Sequence, residues 1–177
     1  MATTTTRLMT FAEFEQLPTP QGFRFELRHG ELVQVPFPKL KHYVTQTRLQ
    51  SLLENAAAGA GMIGLEFGFR ALQEYEYRRA DVAFVFKDRW AHIDLDGYFE
   101  GAPDIVIEVL SPSNTVSEML DKEKLCLENG SREFWVVDIE RRQVKVSTPD
   151  GHTITYKSGQ QIPLLFGGHL AVDAIFA

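Results

Sequence analysis

The chain has 177 residues, a hydrophobic share of 44% and a formal net charge of −6 at pH 7. This length fits one domain with a sizeable core, and the negative charge argues against a protein that coats nucleic acid through its overall field. A single cysteine, Cys126, excludes an internal disulfide framework and a cysteine-rich zinc site, and fits a reducing cytoplasm. No apolar segment has the length of a membrane span, so we expect a cytoplasmic protein without a membrane partner.

Local patterns predict helices and strands in an order typical of a mixed α/β domain. Residues 1–8 lack an apolar core and predict a disordered lead rather than a secretory signal, which leaves residues 9–177 as the single domain. The predicted elements are a short helix at 10–17, a hairpin at 23–35, a helix at 42–58, strands near 62–73, 80–87 and 104–110, a loop with a helical turn at 88–102, a helix at 116–129, a strand at 134–138, a hairpin at 143–156 and an apolar tail at 164–176 that packs on the core. This order indicates a central sheet covered by helices.

The two longer helices carry amphipathic patterns that predict their buried faces. In the first, the pattern falls on Leu49, Leu52, Leu53 and Ala56. In the second, it falls on Val116, Met119, Leu120 and Leu127. Cys126, at the edge of the second face, is expected to be a small core residue.

Glu108 is the most informative residue, because it stands alone in the apolar run at 105–110. A carboxylate in a buried strand is costly unless a cation, a metal or strong donors meet it. Asp81 opens the preceding apolar strand, so the two carboxylates converge if the strands are neighbours. A divalent cation would remove their repulsion, and Mg²⁺ or Mn²⁺ suits a site of few carboxylate oxygens and several waters. The alternative is that Glu108 pairs with an arginine and Asp81 caps a strand end. When the two acids are considered without other residues, this alternative is favoured.

Two lysines, Lys122 and Lys124, lie in the helix that follows Glu108 and fall on opposite edges of its apolar face. Lys122 shares its edge with Cys126, and Lys124 shares its edge with Leu127. Either could reach over the sheet end, where a lysine positions or deprotonates a metal-bound water or stabilises phosphate charge. A surface lysine is the alternative for each, and helical spacing does not choose between them.

Other polar residues give weaker signals. The five histidines lack the close spacing of a zinc pair, and His42, at the start of the first long helix, either faces the site or a phosphate or, as we favour, packs at the helix start. Ser111 and Ser113 flank Pro112 and predict a turn rather than a nucleophile, since no partnered base is visible.

Four segments in a fixed order carry a resemblance to a known family. They are FELRHGELV at 25–33, ADV at 80–82, GAPDIVIEVLSPS at 101–113 and EFWVVD at 133–138. Together they resemble the bacterial putative restriction endonuclease family of the PD-(D/E)XK nuclease superfamily, over about residues 11–176. The resemblance implies a restriction-endonuclease-like α/β fold, in which helices flank a central mixed β-sheet and hairpins lie near both ends. It also implies Mg²⁺-dependent hydrolysis of DNA phosphodiester bonds by an endonuclease.

The resemblance assigns roles to particular residues of this sequence. Asp81 and Glu108 match the catalytic and metal-binding acids, and the carbonyl of Val109, next to Glu108, adds a ligand. Glu26 and Glu31 match acidic positions of the early hairpin. Either could complete the acidic cluster, while Glu31 could instead pair with a surface cation.

The lysine is the point at which this chain departs from the superfamily pattern. The superfamily lysine usually stands two residues after the acid, where this chain has Leu110. In the family that the chain resembles, the lysine comes from the following helix, which favours Lys122 over Lys124.

The main alternative is a non-catalytic nuclease-like fold that acts as a nucleic-acid-binding or protein-interaction module, which the net charge of −6 mildly favours. It would be preferred if Asp81 and Glu108 lay too far apart for one metal, or if no lysine reached them. For the endonuclease we expect local contacts with DNA and a homodimer, because cutting two strands suits two-fold symmetry. The hairpin at 143–156 is the candidate dimer contact.

Overall fold

The computed structural model describes residues 7–112 and 114–177. Most of the expected lead at 1–8 therefore lies outside the described residues, and so does Ser113 of the expected turn. In the described part of the chain the helices are α1 (Phe11–Glu15), α2 (Leu40–Ala57), α3 (Lys87–Trp90), α4 (Val116–Glu128) and α5 (Val172–Ile175). The strands are β1 (Phe23–Arg28), β2 (Glu31–Pro36), β3 (Gly61–Arg70), β4 (Arg78–Phe86), β5 (Phe99–Glu100), β6 (Ile105–Val109), β7 (Glu133–Asp138), β8 (Gln143–Ser147), β9 (Thr153–Lys157), β10 (Gln161–Pro163) and β11 (His169–Ala171).

Seven strands form a mixed central sheet in the order β5-β3-β4-β6-β7-β8-β9. β4 and β6 are antiparallel neighbours that pair Val82 with Ile107, and β6 and β7 run parallel. The predicted neighbourhood of the strands that carry Asp81 and Glu108 is therefore confirmed. β1 and β2 form the separate N-terminal hairpin, whereas the predicted C-terminal hairpin, β8–β9, extends the central sheet. These features confirm the predicted restriction-endonuclease-like α/β class.

The central sheet lies between two hydrophobic layers. On one face, Leu49 and Leu53 of α2 pack with the apolar C-terminal segment against Ile105 and Ile107 of β6. On the other face, Leu125 and Cys126 of α4 pack in a second cluster that includes Val106 of β6. Because side chains alternate along a strand, Glu108 shares the α4 face with Val106. The fold thus turns Glu108 toward α4.

The predicted buried face of α4 is right at Met119 and Leu127, which pack against the core, and wrong at Val116 and Leu120. Val116 is 77% exposed and Leu120 is 57% exposed, and the helix instead buries Lys122, Leu125 and Cys126. The reason is electrostatic, because the sheet face under α4 carries the Glu108 carboxylate and a cation must face it. An apolar periodicity alone cannot orient a helix that buries a charge. The expectation that Cys126 is a core residue is confirmed.

The other local predictions agree with the structure apart from details. Thr10 forms a capping box with Glu13 at the start of the predicted first helix. Ser111 donates its N–H to Asn114 Oδ1 (2.8 Å) in the expected turn. α2 buries Ala57 rather than Ala56 at its end. The loop at 88–102 contains the expected helical turn and also the short strand β5, which no sequence pattern marks. In the part of the chain that is described, no helix is long and apolar enough to cross a membrane.

Candidate active site

The two predicted acids meet at the end of the β4–β6 ladder. Asp81 stands directly before Val82, the β4 residue that pairs with Ile107 of β6. Its Oδ2 accepts a hydrogen bond from the Val109 N–H at 2.7 Å. The Asp81 carboxylate therefore lies against the backbone next to Glu108. The side chains of Asp81 and Glu108 are 18% and 9% exposed. Convergence of these two acids, which the sequence left conditional, is realised by the strand pairing.

Lys122 reaches this point from α4. Its Nζ lies 2.7 Å from Glu108 Oε1 and donates to the Arg79 carbonyl at 2.5 Å. Lys124 is exposed and has no such contact within the described residues. Leu110, the residue at the usual lysine position, packs at the edge of the α4-side cluster. Of the two candidate lysines, the fold brings Lys122 to the acids.

The electrostatics of this pair follow from its burial. Burial raises the pKa of Glu108 to about 8, the Asp81 charge acts in the same direction, and the Lys122 charge opposes both. Burial by itself would lower the pKa of Lys122, but Glu108, Glu26 and Asp81 outweigh it and the net shift is upward. Glu108 Oε1 faces the Lys122 ammonium group at 2.7 Å, and the two buried charges form an ion pair.

Two residues on adjacent turns of α2, the helix on the other face of the sheet from α4, contact Asp81. His42 Nε2 lies 3.1 Å from Asp81 Oδ2, and Gln46 Nε2 donates to Asp81 Oδ1 at 2.8 Å. Burial lowers the pKa of His42, but interaction with Asp81 and with the nearby Glu66 and Glu108 more than offsets it, so the pKa is raised. The structure thus places His42 against the site, contrary to the favoured expectation that it only packs at the helix start.

Glu66 is a site residue that the sequence did not reveal. It lies in β3 between the partners of Val82 and Ala80, and its φ of 49° is in the left-handed region that non-glycine residues rarely occupy. Its Oε1 accepts a hydrogen bond from Gln46 Nε2 at 2.7 Å, and its Oε2 pairs with Arg24. Glu66 is therefore joined to Asp81 through one shared amide.

The two acids of the β1–β2 hairpin differ in their distance from the site. Glu26 is 3% exposed and accepts from the Arg79 N–H and from Arg28 Nε, both at 3.0 Å. Since Lys122 donates to the carbonyl of the same Arg79, Glu26 borders the site. Glu31 is exposed at the start of β2 and is not brought to these residues. We use the term acid cluster below for Glu26, Glu66, Asp81 and Glu108.

The few oxygen ligands at this place fit a magnesium site that is completed by waters and substrate, not a site in which protein groups fill every position. Within residues 7–112 and 114–177, no group of three or more His, Cys, Asp and Glu side chains is arranged to hold a metal ion. Two carboxylates do meet, and the Val109 carbonyl points to the same side of β6 as its N–H, which contacts Asp81. Mg²⁺ typically takes one or two carboxylates and fills its remaining positions with waters and substrate phosphates. Glu108 Oε1 already faces Lys122 Nζ at 2.7 Å, so a metal at this place would share the carboxylate with the lysine.

The mixed sheet with two acids on neighbouring strands and a lysine on the next helix defines a restriction-endonuclease-like protein. The chain belongs to the Uma2 family, described as putative restriction endonuclease, whose family model matches residues 11–170. The predicted family resemblance is therefore confirmed. The crystal structure of a putative nuclease belonging to DUF820 from Anabaena variabilis has the same fold, with a TM-score of 0.81 and 23% sequence identity over 95% of this chain and 97% of that chain. No curated protein matches the chain significantly.

Proposed function

We propose that the protein is a metal-dependent endonuclease that hydrolyses phosphodiester bonds in DNA. The observation that carries this proposal is the buried Glu108–Lys122 pair beside Asp81. A carboxylate that is raised in pKa by burial and sits next to a fixed ammonium group is typical of catalytic sites. Membership of the Uma2 family and the fold shared with the putative nuclease from Anabaena variabilis support the same function.

Asp81, Glu108 and the Val109 carbonyl would hold Mg²⁺, or Mn²⁺ in its place. When bound, the metal would supply a water of lowered pKa and neutralise charge on the phosphate. Lys122 would orient the attacking water or stabilise the negative charge that develops on the phosphate oxygens. In-line attack at phosphorus then breaks the P–O3′ bond, and the 3′ oxygen leaves with a proton.

The residues around this set would act by positioning. His42 and Gln46 would fix the orientation of the Asp81 carboxylate. Glu108 and Glu26 raise the pKa of Lys122, and the Arg79 carbonyl accepts a hydrogen bond from its ammonium group. Fixed side chains of this kind reduce the reorganisation needed at the moment of reaction.

A plasmid-cleavage assay with Mg²⁺ or Mn²⁺ tests the proposal. The wild type is expected to nick or linearise the plasmid, while Glu108→Gln and Lys122→Ala reduce the rate by roughly 100-fold or more, a loss in the range of removing one essential catalytic group. Lys124→Ala is the matched control, since this lysine lies two residues away on the same helix and is exposed. Equal cleavage by all four proteins would refute the proposed site.

One observation favours a second candidate, a protein-interaction module without catalysis. The formal net charge is −6, and tight binding along a duplex normally uses a basic surface. This candidate predicts that the purified protein cleaves no DNA in any divalent cation, while Glu108→Gln leaves its binding unchanged.

We also propose a homodimer that forms through the C-terminal hairpin. β9 is an outer strand of the central sheet, and Ile154 on it is 54% exposed. An exposed outer strand offers unpaired backbone groups to a second copy. Sedimentation or light scattering should give a dimeric mass for the wild type and a monomeric mass for Ile154→Lys; a monomeric wild type would reject this contact.

A further inference from the structure

A groove lined by aromatic rings and guanidinium groups opens beside the acid cluster. Its volume is about 290 Å³. Its lining includes Phe14, Phe25, Phe37, Tyr98, Arg24 and Arg79. Glu15 adds one carboxylate to the two guanidinium groups, and Arg24 is also paired with Glu66.

Two of the aromatic rings that line the groove are exposed to solvent. Phe37 is 55% exposed and Tyr98 is 40% exposed. The Arg24 guanidinium carbon lies 5.2 Å from the centroid of the Phe37 ring, and that of Arg79 lies 5.4 Å from the centroid of the Tyr77 ring. The groove thus combines accessible ring faces with stacked cations. An aromatic face that is held in place beside an arginine can stack on a flat, weakly polar ring and pair with a nearby anion.

Backbone and side-chain contacts connect the groove directly to the acid cluster. The Arg79 carbonyl accepts a hydrogen bond from Lys122, and Arg79 stands two residues before Asp81. Arg24 pairs with Glu66, which shares the Gln46 amide with Asp81. These contacts place the groove next to the acid cluster.

We propose that this groove binds unpaired nucleotides next to the scissile phosphate, so that the preferred substrate is a single-stranded segment rather than uniform duplex. The inference rests on the proposed nuclease function and specifies its substrate. Bases inside a duplex are stacked on each other and cannot offer their faces, whereas single-strand sites combine aromatic platforms with arginines.

A binding measurement under conditions that prevent cleavage tests this inference. Fluorescence anisotropy in EDTA would compare a labelled single-stranded DNA oligonucleotide, its RNA counterpart and the matching DNA duplex. Phe37→Ala is expected to weaken single-strand binding about tenfold, and Phe37→Trp is expected to restore it. Tyr43→Ala is the matched control, because Tyr43 is a similarly exposed aromatic residue, at 48%, that does not line the groove. Equal unfolding midpoints would show that the variants fold alike.

The outcomes separate this inference from the proposed function. Tighter binding of duplex than of single strand, or single-strand binding that Phe37→Ala leaves unchanged, would overturn the inference even if the wild type cleaves DNA with Mg²⁺. Binding that depends on Phe37 without any cleavage would uphold the groove and reject the nuclease. The DNA and RNA arms distinguish the two sources of unpaired nucleotides.

Discussion

Lys122 Nζ lies 2.7 Å from Glu108 Oε1, and the two side chains keep only 10% and 9% of their surface exposed. The carboxylate comes from β6, in the middle of the central sheet, and the ammonium group comes from the helix that covers it. Taking both charges out of water is costly, and a hydrophobic pair of the same volume would often be at least as stable. The pair is therefore better explained by chemistry at the site than by fold stability.

Removing one partner of this pair should destabilise the fold more than removing both. Lys122→Met leaves the buried Glu108 without its cation, a change that typically costs about 3–5 kcal/mol, although protonation of Glu108 will recover part of it. The double variant Glu108→Gln/Lys122→Met should lie closer to the wild type than Lys122→Met does. Urea unfolding of the wild type, Glu108→Gln, Lys122→Met and the double variant, in EDTA and above pH 8 so that Glu108 is charged, gives the coupling free energy. Additive effects would mean that the two side chains do not interact.

In the metal-free protein, the contribution of Glu108 to stability should fall as the pH rises from about 4.5 to about 8. The folded-state pKa of Glu108 is raised from 4.5 to about 8, mainly by burial. Between these values the folded chain holds a proton that the unfolded chain has released, so this group stabilises the fold fully below pH 4.5 and loses that contribution toward pH 8.

Glu108→Gln isolates this effect, because the amide cannot titrate. Its free energy of unfolding in EDTA should decline less over the same pH range than that of the wild type. Parallel pH profiles for the two proteins would contradict the raised pKa of Glu108.

Asp121 should matter for cleavage although it does not touch the acids. It lies beside Lys122 on α4 and pairs with Arg78 at 3.0 Å and with His29 at 2.7 Å, which ties the helix to β4 and to the first hairpin. Asp121→Asn should cost roughly 1 kcal/mol, since Asp121 is 41% exposed, and should slow cleavage several-fold because the helix that carries Lys122 loses this anchor.

A second ion pair on the same helix provides the control. Glu123 pairs with Lys145 at 2.6 Å on the side of α4 toward β8. Glu123→Gln should lower stability by a similar amount and leave the cleavage rate close to that of the wild type. If both variants slow cleavage equally, Asp121 has no particular role in positioning Lys122.

The fold and the central acids could be predicted because their signals are local. An apolar run of β-branched residues marks β6, and a lone Glu108 inside it is conspicuous whatever the rest of the chain does. Asp81 stands at the corresponding place in the neighbouring apolar run. The strand pairing that brings them together then follows from a fold that the segment order already indicated.

The remaining site residues depend on contacts between distant parts of the chain. Glu66 joins the cluster only because its backbone adopts a φ of 49° opposite Asp81, and no side-chain pattern encodes that conformation. Gln46 is recognisable only once α2 is known to cross the end of the ladder. The inward orientation of Lys122 was hidden for a similar reason, since the apolar pattern of α4 points Leu120 inward and Leu120 is 57% exposed.

Mg²⁺ should stabilise the folded protein in a way that depends on Asp81. A ligand that binds only the folded state adds stability with its concentration, about 2.7 kcal/mol at a hundred times its Kd. The wild-type unfolding midpoint should therefore rise on addition of Mg²⁺, and Asp81→Asn should remove this rise by deleting one of the two carboxylates. Glu31→Gln is the matched control, because Glu31 is exposed and lies outside the acid cluster, so it should keep the full response. The same rise in all three proteins would mean that Mg²⁺ binds elsewhere, and the assignment of Asp81 as a metal ligand would be wrong.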